Sequence, residues 1–143
     1  MKEGQEDCQI PLKLKMDKII VAIFVESRYK INRKKIKQVV AKVMAKNQIA
    51  GPVEVSVAVV GDRKMRELSK KYKGEDKTRN ILSFSQTEGK TVNNHTDILR
   101  LGDIVLSFPM IIKDAARDEM LVDDKVDQLV EHGLMHLLGL HHE

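Results

Sequence analysis

Segments in which hydrophobic residues recur with the spacing of a strand alternate with segments that have the spacing of a helix, and together they predict four strands and four helices. Short runs rich in β-branched residues predict strands at 18–27, 53–60, 80–85 and 100–108. Between and after these runs, the pattern predicts helices at 32–48, 62–72, 109–118 and from 123 to the C-terminal histidines. This order of elements indicates an α+β fold with a single mixed four-stranded sheet packed with helices.

Polar residues and one proline indicate where the helices begin. Asn32 is a candidate N-cap for the first helix, and Asp62 is a candidate N-cap for the second. Pro109 suits the first turn of the third helix, where its missing N–H is not needed. Asp123 or Asp124 suits the positive end of the dipole of the last helix.

The length of 143 residues predicts one domain. Residues 1–17 lack the apolar core of a signal peptide and are predicted to be a flexible lead-in to a single domain at 18–143. The longest apolar run, 19–25, is far shorter than the roughly 20 residues that cross a bilayer. The single cysteine, Cys8, allows no internal disulfide, which fits a reducing compartment. We therefore expect a soluble cytoplasmic protein without a membrane partner.

The net charge of +4 hides an asymmetry between two parts of the chain. Residues 28–79 contain 16 Lys and Arg against 5 Asp and Glu, whereas residues 97–143 contain 4 basic and 10 acidic residues. A basic half suits a polyanionic substrate or partner, because phosphate contacts dominate nucleic-acid affinity. A solvated lysine-rich surface would give the same count, so charge alone leaves both interpretations open.

The last dozen residues contain four of the five histidines. His132 and His136 are spaced i, i+4, which places them on one face of a helix, beside its apolar stripe. Gly139 predicts the end of that helix, so the chain can turn back and bring a third imidazole towards the first two. Three imidazoles and one open position are what a catalytic zinc site needs. A buried helix that happens to contain histidines and a tag-like tail are the alternatives, and the interleaved leucines argue against the tail.

Three segments, 132–142, 72–84 and 101–104, follow patterns that occur together in one family. The first is similar to His-Gly-x-x-His-Leu-x-Gly-x-Asp-His, and the second to Tyr-Arg-Gly-Lys-Asp-Lys-Pro-Thr-Asn-Val-Leu-Ser-Phe. The chain thus resembles the YbeY family of single-strand-specific endoribonucleases, which act in ribosomal RNA maturation and ribosome quality control. The resemblance implies that His132, His136 and His142 bind one Zn²⁺ per chain on a zincin-like C-terminal helix, although imidazole also suits Ni²⁺, Cu²⁺ and Fe.

The chain departs from the family pattern at positions near the expected chemistry. Lys73 stands where the family has an arginine implicated in catalysis, and Arg79 stands where threonine is usual. Lysine is a point charge, so Arg79 is the residue that could supply a bidentate phosphate contact. His141 replaces an aspartate beside the last ligand and could orient or deprotonate the nucleophile, or remain an exposed terminal histidine. We expect Lys73, Arg79 and His141 to be the catalytic residues.

The expected function is metal-dependent hydrolysis of single-stranded RNA in 16S rRNA maturation, with the small ribosomal subunit as partner and no role in binding DNA. Two other functions remain open. The ligand spacing is also that of metzincin peptidases, although Gly133 occupies the position of their general-base glutamate. A non-catalytic ribosome assembly factor with structural zinc is the third interpretation, with His141 as a fourth ligand.

Overall fold

The computed structural model describes residues 19–49, 52–86 and 98–139. The strands are β1 (Ile19–Val25), β2 (Val53–Val60), β3 (Ile81–Ser85) and β4 (Leu99–Ser107), and the helices are α1 (Arg33–Lys46), α2 (Asp62–Lys73), α3 (Phe108–Arg117) and α4 (Val122–Leu137). No helix in these three ranges is long and apolar enough to cross a membrane. The predicted flexible lead-in, 1–17, and the polar segment that contains His95 lie outside the described residues.

The four strands form one mixed sheet in the order β1-β2-β4-β3. β1, β2 and β4 are parallel, with Ile23 opposite Val57 and Val57 opposite Ile104. β3 runs antiparallel to β4, with Ile81 opposite Leu106. The predicted α+β fold with a mixed four-stranded sheet is therefore confirmed.

The two faces of the sheet are covered by different helices. α1 and α4 pack on one face and form the larger hydrophobic cluster with alternate residues of the strands, such as Val55, Val57 and Ile104. α2 packs on the other face, where Met65 is fully buried in a smaller cluster with Leu82. The period-2 alternation of β2 is the local cause, because it directs Val53, Val55, Val57 and Val59 to the first face. The histidine-bearing helix and the basic helix α2 are thus on opposite faces.

The predicted start of α1 is confirmed, although the helix ends at Lys46 rather than 48, and the other three helices begin one or two residues from their predicted starts. Asn32 caps α1, since its side chain accepts a hydrogen bond from the Lys35 amide at 3.0 Å. The prediction that Asp62 caps α2 is wrong, because Gly61 is the cap and Asp62 is the first helical residue. α3 begins at Phe108 with Ser107 as its cap, and α4 begins at Val122, one residue before the acidic pair.

A buried lysine joins the end of α3 to the start of α4. Lys125 has only 5% of its surface exposed, and its Nζ donates to Asp118 Oδ2 and to Gln128 Oε1, each at 2.6 Å. Asp118 also accepts from the Arg117 guanidinium at 3.0 and 3.1 Å. Arg117 and then Lys125 hold the pKa of the Asp118 carboxyl well below its usual range. Asp118 is thus the ion-pair partner of Lys125, which is the only buried charged residue at the start of α4 among the described residues.

These contacts predict a pH dependence of the stability. A lowered pKa in the folded state means that Asp118 contributes stability above the ordinary value of 3.8, and that this contribution is lost as the pH falls from that value through the lowered pKa. Burial raises the pKa of Asp127, so that group acts in the opposite direction. We therefore expect the difference in unfolding free energy between the wild type and Asp118→Asn to shrink as the pH falls from about 6 to about 2. Urea titrations at a series of pH values measure it, and a constant difference would contradict the ion-pair assignment.

Candidate metal centre

The two histidines of α4 lie side by side on an exposed flank of the helix. His132 and His136 are both exposed, whereas Gly133, Leu134 and Leu137 between and beyond them are buried. The two imidazole rings are 4.6 Å apart between centroids, and their Nε2 atoms are 3.1 Å apart. The expectation that the pair lies beside the apolar stripe of the helix is confirmed, and the two Nε2 atoms are within hydrogen-bond distance of each other.

The spacing of these nitrogens fits a shared metal ion. With Zn–N bonds of about 2.0–2.1 Å and a tetrahedral angle, two imidazole ligands of one zinc are separated by about 3.3 Å. The observed 3.1 Å between the Nε2 atoms is within a few tenths of an ångström of that value. Two neutral imidazoles are also the donor type that zinc prefers. The spacing of the two described ligands therefore suits zinc.

Gly133 determines how closely α4 approaches the sheet beside the histidines. A Cβ at this position would lie 3.1 Å from the Cδ1 atoms of both Ile81 and Ile104. The helix therefore packs closely on β3 and β4 one residue after His132. On the other flank of α4, Asp127 and Glu131 line a groove shared with Lys42 of α1. The histidines are thus on the flank directed away from α1, towards the β3 edge of the sheet.

The third predicted ligand, His142, and the candidate catalytic residue His141 lie outside the described residues. Gly139, the last described residue, has a φ of +78°, as expected of the glycine that ends a helix. Within the described ranges, no group of three or more His, Cys, Asp or Glu side chains could hold a metal ion. The three-ligand site therefore stays a prediction, supported by the geometry of its first two members.

The other two candidate catalytic residues lie before β3. Lys73 is exposed at the last turn of α2, and Arg79 is two residues before Ile81, which contacts Gly133. The Arg79 guanidinium is paired with the Glu75 carboxylate. The structure thus brings His132 and His136 together, and in the described part of the chain neither Lys73 nor Arg79 is hydrogen-bonded to them. Their catalytic role stays a prediction.

Sequence reasoning missed the side chains that fix the 74–80 turn. Thr78 donates to Asp62 Oδ1 at 3.0 Å, and the buried Ser107 hydroxyl donates to the same oxygen at 3.0 Å. Asn80 donates to Asp114 Oδ2 at 2.9 Å. The partners are 16 to 45 residues apart in the chain, so no local pattern could have paired them. Asp62 is therefore the first residue of α2 and also connects the 74–80 turn to the end of β4.

Comparison with known proteins identifies the family. A family model described as "Endoribonuclease YbeY" matches residues 23–143. Proteins named Endoribonuclease YbeY match as well: one from Syntrophus aciditrophicus is 39% identical over 63% of this chain and 55% of its own length. One from Roseiflexus castenholzii is 32% identical over 76% of this chain and 69% of its own length, and one from a Sulfurihydrogenibium species is 30% identical over 92% and 82%.

One solved structure has the same fold. The solution structure of a Thermotoga maritima protein superposes with a TM-score of 0.55, covering 87% of this chain and 75% of that one, at 22% identity. At this identity the likeness shows the fold alone. The match with the Syntrophus relative spans little more than half of that relative's length, whereas the family model covers most of this chain from β1 onwards. The chain therefore belongs to the YbeY endoribonuclease family.

Proposed function

We propose that this protein is a zinc-dependent endoribonuclease that cleaves single-stranded RNA in 16S rRNA maturation and ribosome quality control. The observation that carries the proposal is the pair of Nε2 atoms, 3.1 Å apart, on the exposed flank of α4 in a member of this family. The small ribosomal subunit is the proposed partner, and the cytoplasm is the proposed location. The relatives are named for endoribonuclease activity, which supports RNA as the substrate.

Three histidines would hold the metal: His132, His136 and His142. A bound zinc would polarise a phosphoryl oxygen or lower the pKa of its water towards about 7. The helix contributes rigidity, because Gly133 lets α4 pack tightly against Ile81 and Ile104 beside the ligands. Ligands on a packed helix keep their positions better than ligands on a loop, which favours a preorganised site.

The cations before β3 would bind the phosphate and stabilise the negative charge that builds up during cleavage. Lys73 and Arg79 are the candidates, because both precede the strand that contacts α4. Arg79 can offer two parallel N–H groups to a phosphate, whereas Lys73 acts as a point charge. His141 would orient the nucleophile or accept its proton, a task that suits a side chain with an ordinary pKa of about 6.5.

The packing of Gly133 argues against the peptidase alternative. Metzincin peptidases need a general-base glutamate directly after the first histidine. Here that position is buried, and a Cβ would be 3.1 Å from two isoleucine side chains. A base at this position would face the core and not the flank that carries His132 and His136. This packing therefore favours a hydrolase that activates its nucleophile by another residue.

A substrate comparison tests the proposed function. We expect the zinc-loaded protein to cleave a single-stranded RNA, to leave the matching duplex largely intact and to leave casein unchanged. Removal of the metal with a chelator should abolish cleavage, and added zinc should restore it. Hydrolysis of casein with intact RNA would instead establish the peptidase. Tightly bound zinc with neither activity would establish the assembly factor with a structural metal.

A further inference from the structure

The Glu75 carboxylate lies between two cations of the 74–80 turn. The Arg79 guanidinium donates to Glu75 Oε1, and Lys77 Nζ is 3.8 Å from the same oxygen. The turn thus directs one arginine and one lysine at a single anionic group. This is the arrangement with which proteins bind phosphate, and here an internal carboxylate occupies it.

The Arg79 guanidinium is only partly used by this carboxylate. Its Nη2 is bonded to Glu75, whereas its Nε is buried and has no hydrogen-bond partner within the described residues. A phosphate group has several oxygens and can engage two N–H groups of one arginine at once. Glu75 therefore engages one N–H-bearing nitrogen of Arg79, Nη2, and leaves the buried Nε unpaired among the described residues.

The frame of the turn is fixed on both sides of Arg79, while the carboxylate is exposed. Thr78 is bonded to Asp62 and Asn80 to Asp114, at 3.0 and 2.9 Å. The Glu75 side chain is 44% exposed, and the Arg79 side chain is 31% exposed. Because solvent screens exposed ion pairs and makes them weak, an incoming phosphate can displace the carboxylate while the turn keeps its shape.

We propose that Lys77 and Arg79 form a binding site for an RNA backbone phosphate, and that Glu75 occupies this site until RNA displaces it. The inference depends on the proposed RNA substrate and names a contact for it. Glu75 thus acts as an internal competitor that weakens RNA binding, and Lys77 contacts the substrate together with Arg79.

The test is the binding of a fluorescent single-stranded RNA by the full chain, with a chelator present so that the RNA stays intact. We expect Glu75→Gln to bind about three- to ten-fold more tightly at low salt. The slope of log affinity against log salt should steepen by about 0.7 for each additional RNA phosphate that the protein neutralises. The double variant E75Q/R79Q should bind no more tightly than the wild type, because the arginine that holds the phosphate is gone.

Glu67→Gln is the matched control. Glu67 is also ion-paired, with Lys64 at 3.8 Å, and lies on the basic helix α2. Its substitution changes the net charge by the same amount, and we expect less than a two-fold change in affinity. An equal increase in affinity for both variants would show a net-charge effect and overturn the inference.

Cleavage by the wild type separates this inference from the proposed function. If E75Q binds no more tightly than the wild type, the phosphate site is overturned, whether or not the wild type cleaves RNA. If E75Q binds more tightly through Arg79 but the zinc-loaded wild type does not cleave RNA, the phosphate site stands and the proposed endoribonuclease activity fails.

Discussion

The His136→Ala substitution is expected to reduce zinc content from one ion per chain to nearly none and to reduce RNA cleavage about a thousand-fold or more. Loss of one of three ligands removes the metal, and with it several kcal/mol of stabilisation of the developing charge. Each 1.4 kcal/mol corresponds to a factor of about ten in rate. Metal analysis of the purified protein and single-turnover cleavage measure the two effects.

This substitution should leave the fold intact. His136 is exposed on α4, and alanine is a better helix former than histidine. We expect the unfolding free energy of the metal-free variant to be within about 0.5 kcal/mol of that of the metal-free wild type. Added zinc should stabilise the wild type, by about 2.7 kcal/mol at a hundred times its Kd, and should not stabilise the variant.

Glu131→Ala is the matched control on the same helix. Glu131 is exposed like His136 but lies on the opposite flank, in the groove shared with α1. Its removal should change neither the zinc content nor cleavage. The three-histidine assignment is wrong if the double variant H132A/H136A still binds one zinc per chain with the affinity of the wild type.

Much of the fold could be predicted because the strands carry strong local signals. β2 alternates buried and half-buried residues over most of its length, and the cap of α1 is a side chain whose preference is local. The start of α2 was harder to predict, because aspartate is a common N-cap residue but the Asp62 side chain makes other hydrogen bonds. Its carboxylate binds Thr78 and Ser107, which are distant in sequence, and the backbone of Gly61 serves as the cap instead.

The candidate site was predictable to the extent that it is helical. The i, i+4 spacing alone places His132 and His136 together, and the structure confirms it. The surroundings of Arg79 were not predictable in the same way. Its pairing with Glu75 depends on the shape of a turn that Asp62 and Asp114 hold from other elements. Periodicity reports which face of an element is buried, and it carries no information about contacts between such distant segments.

Gly102 lies at an irregularity in β4 and fits closely against β3. The pairing of β2 with β4 shifts between Glu54 and Val55, where β4 has one additional residue before Gly102. Gly102 has a φ of +138°, a conformation that is essentially restricted to glycine, and a Cβ there would be 2.0 Å from the carbonyl oxygen of Phe84. That atom belongs to the backbone of β3 and cannot move without breaking the ladder between the two strands.

Gly102→Ala is therefore expected to lower the free energy of unfolding by more than about 4 kcal/mol, which combines backbone strain with a steric overlap. A typical domain has about 5–15 kcal/mol in total, so this loss removes about a quarter or more of the stability and should clearly lower the midpoint of unfolding. Guanidinium titration of the soluble fraction at about 10 °C measures the loss. Because β3 carries Ile81, which contacts Gly133, any folded fraction should also have a disturbed α4.

Gly74→Ala is the comparison variant without the steric overlap. Gly74 also has a positive φ, +72°, but a Cβ there would have nothing within 4 Å. Alanine at this position meets only the left-handed backbone penalty, about 1–2 kcal/mol, and should fold normally. The difference between the two variants thus combines the contact with the Phe84 carbonyl and the larger backbone strain at the φ of +138°. If Gly102→Ala were no more destabilising than Gly74→Ala, the close approach of Gly102 to the backbone of Phe84 would be wrong.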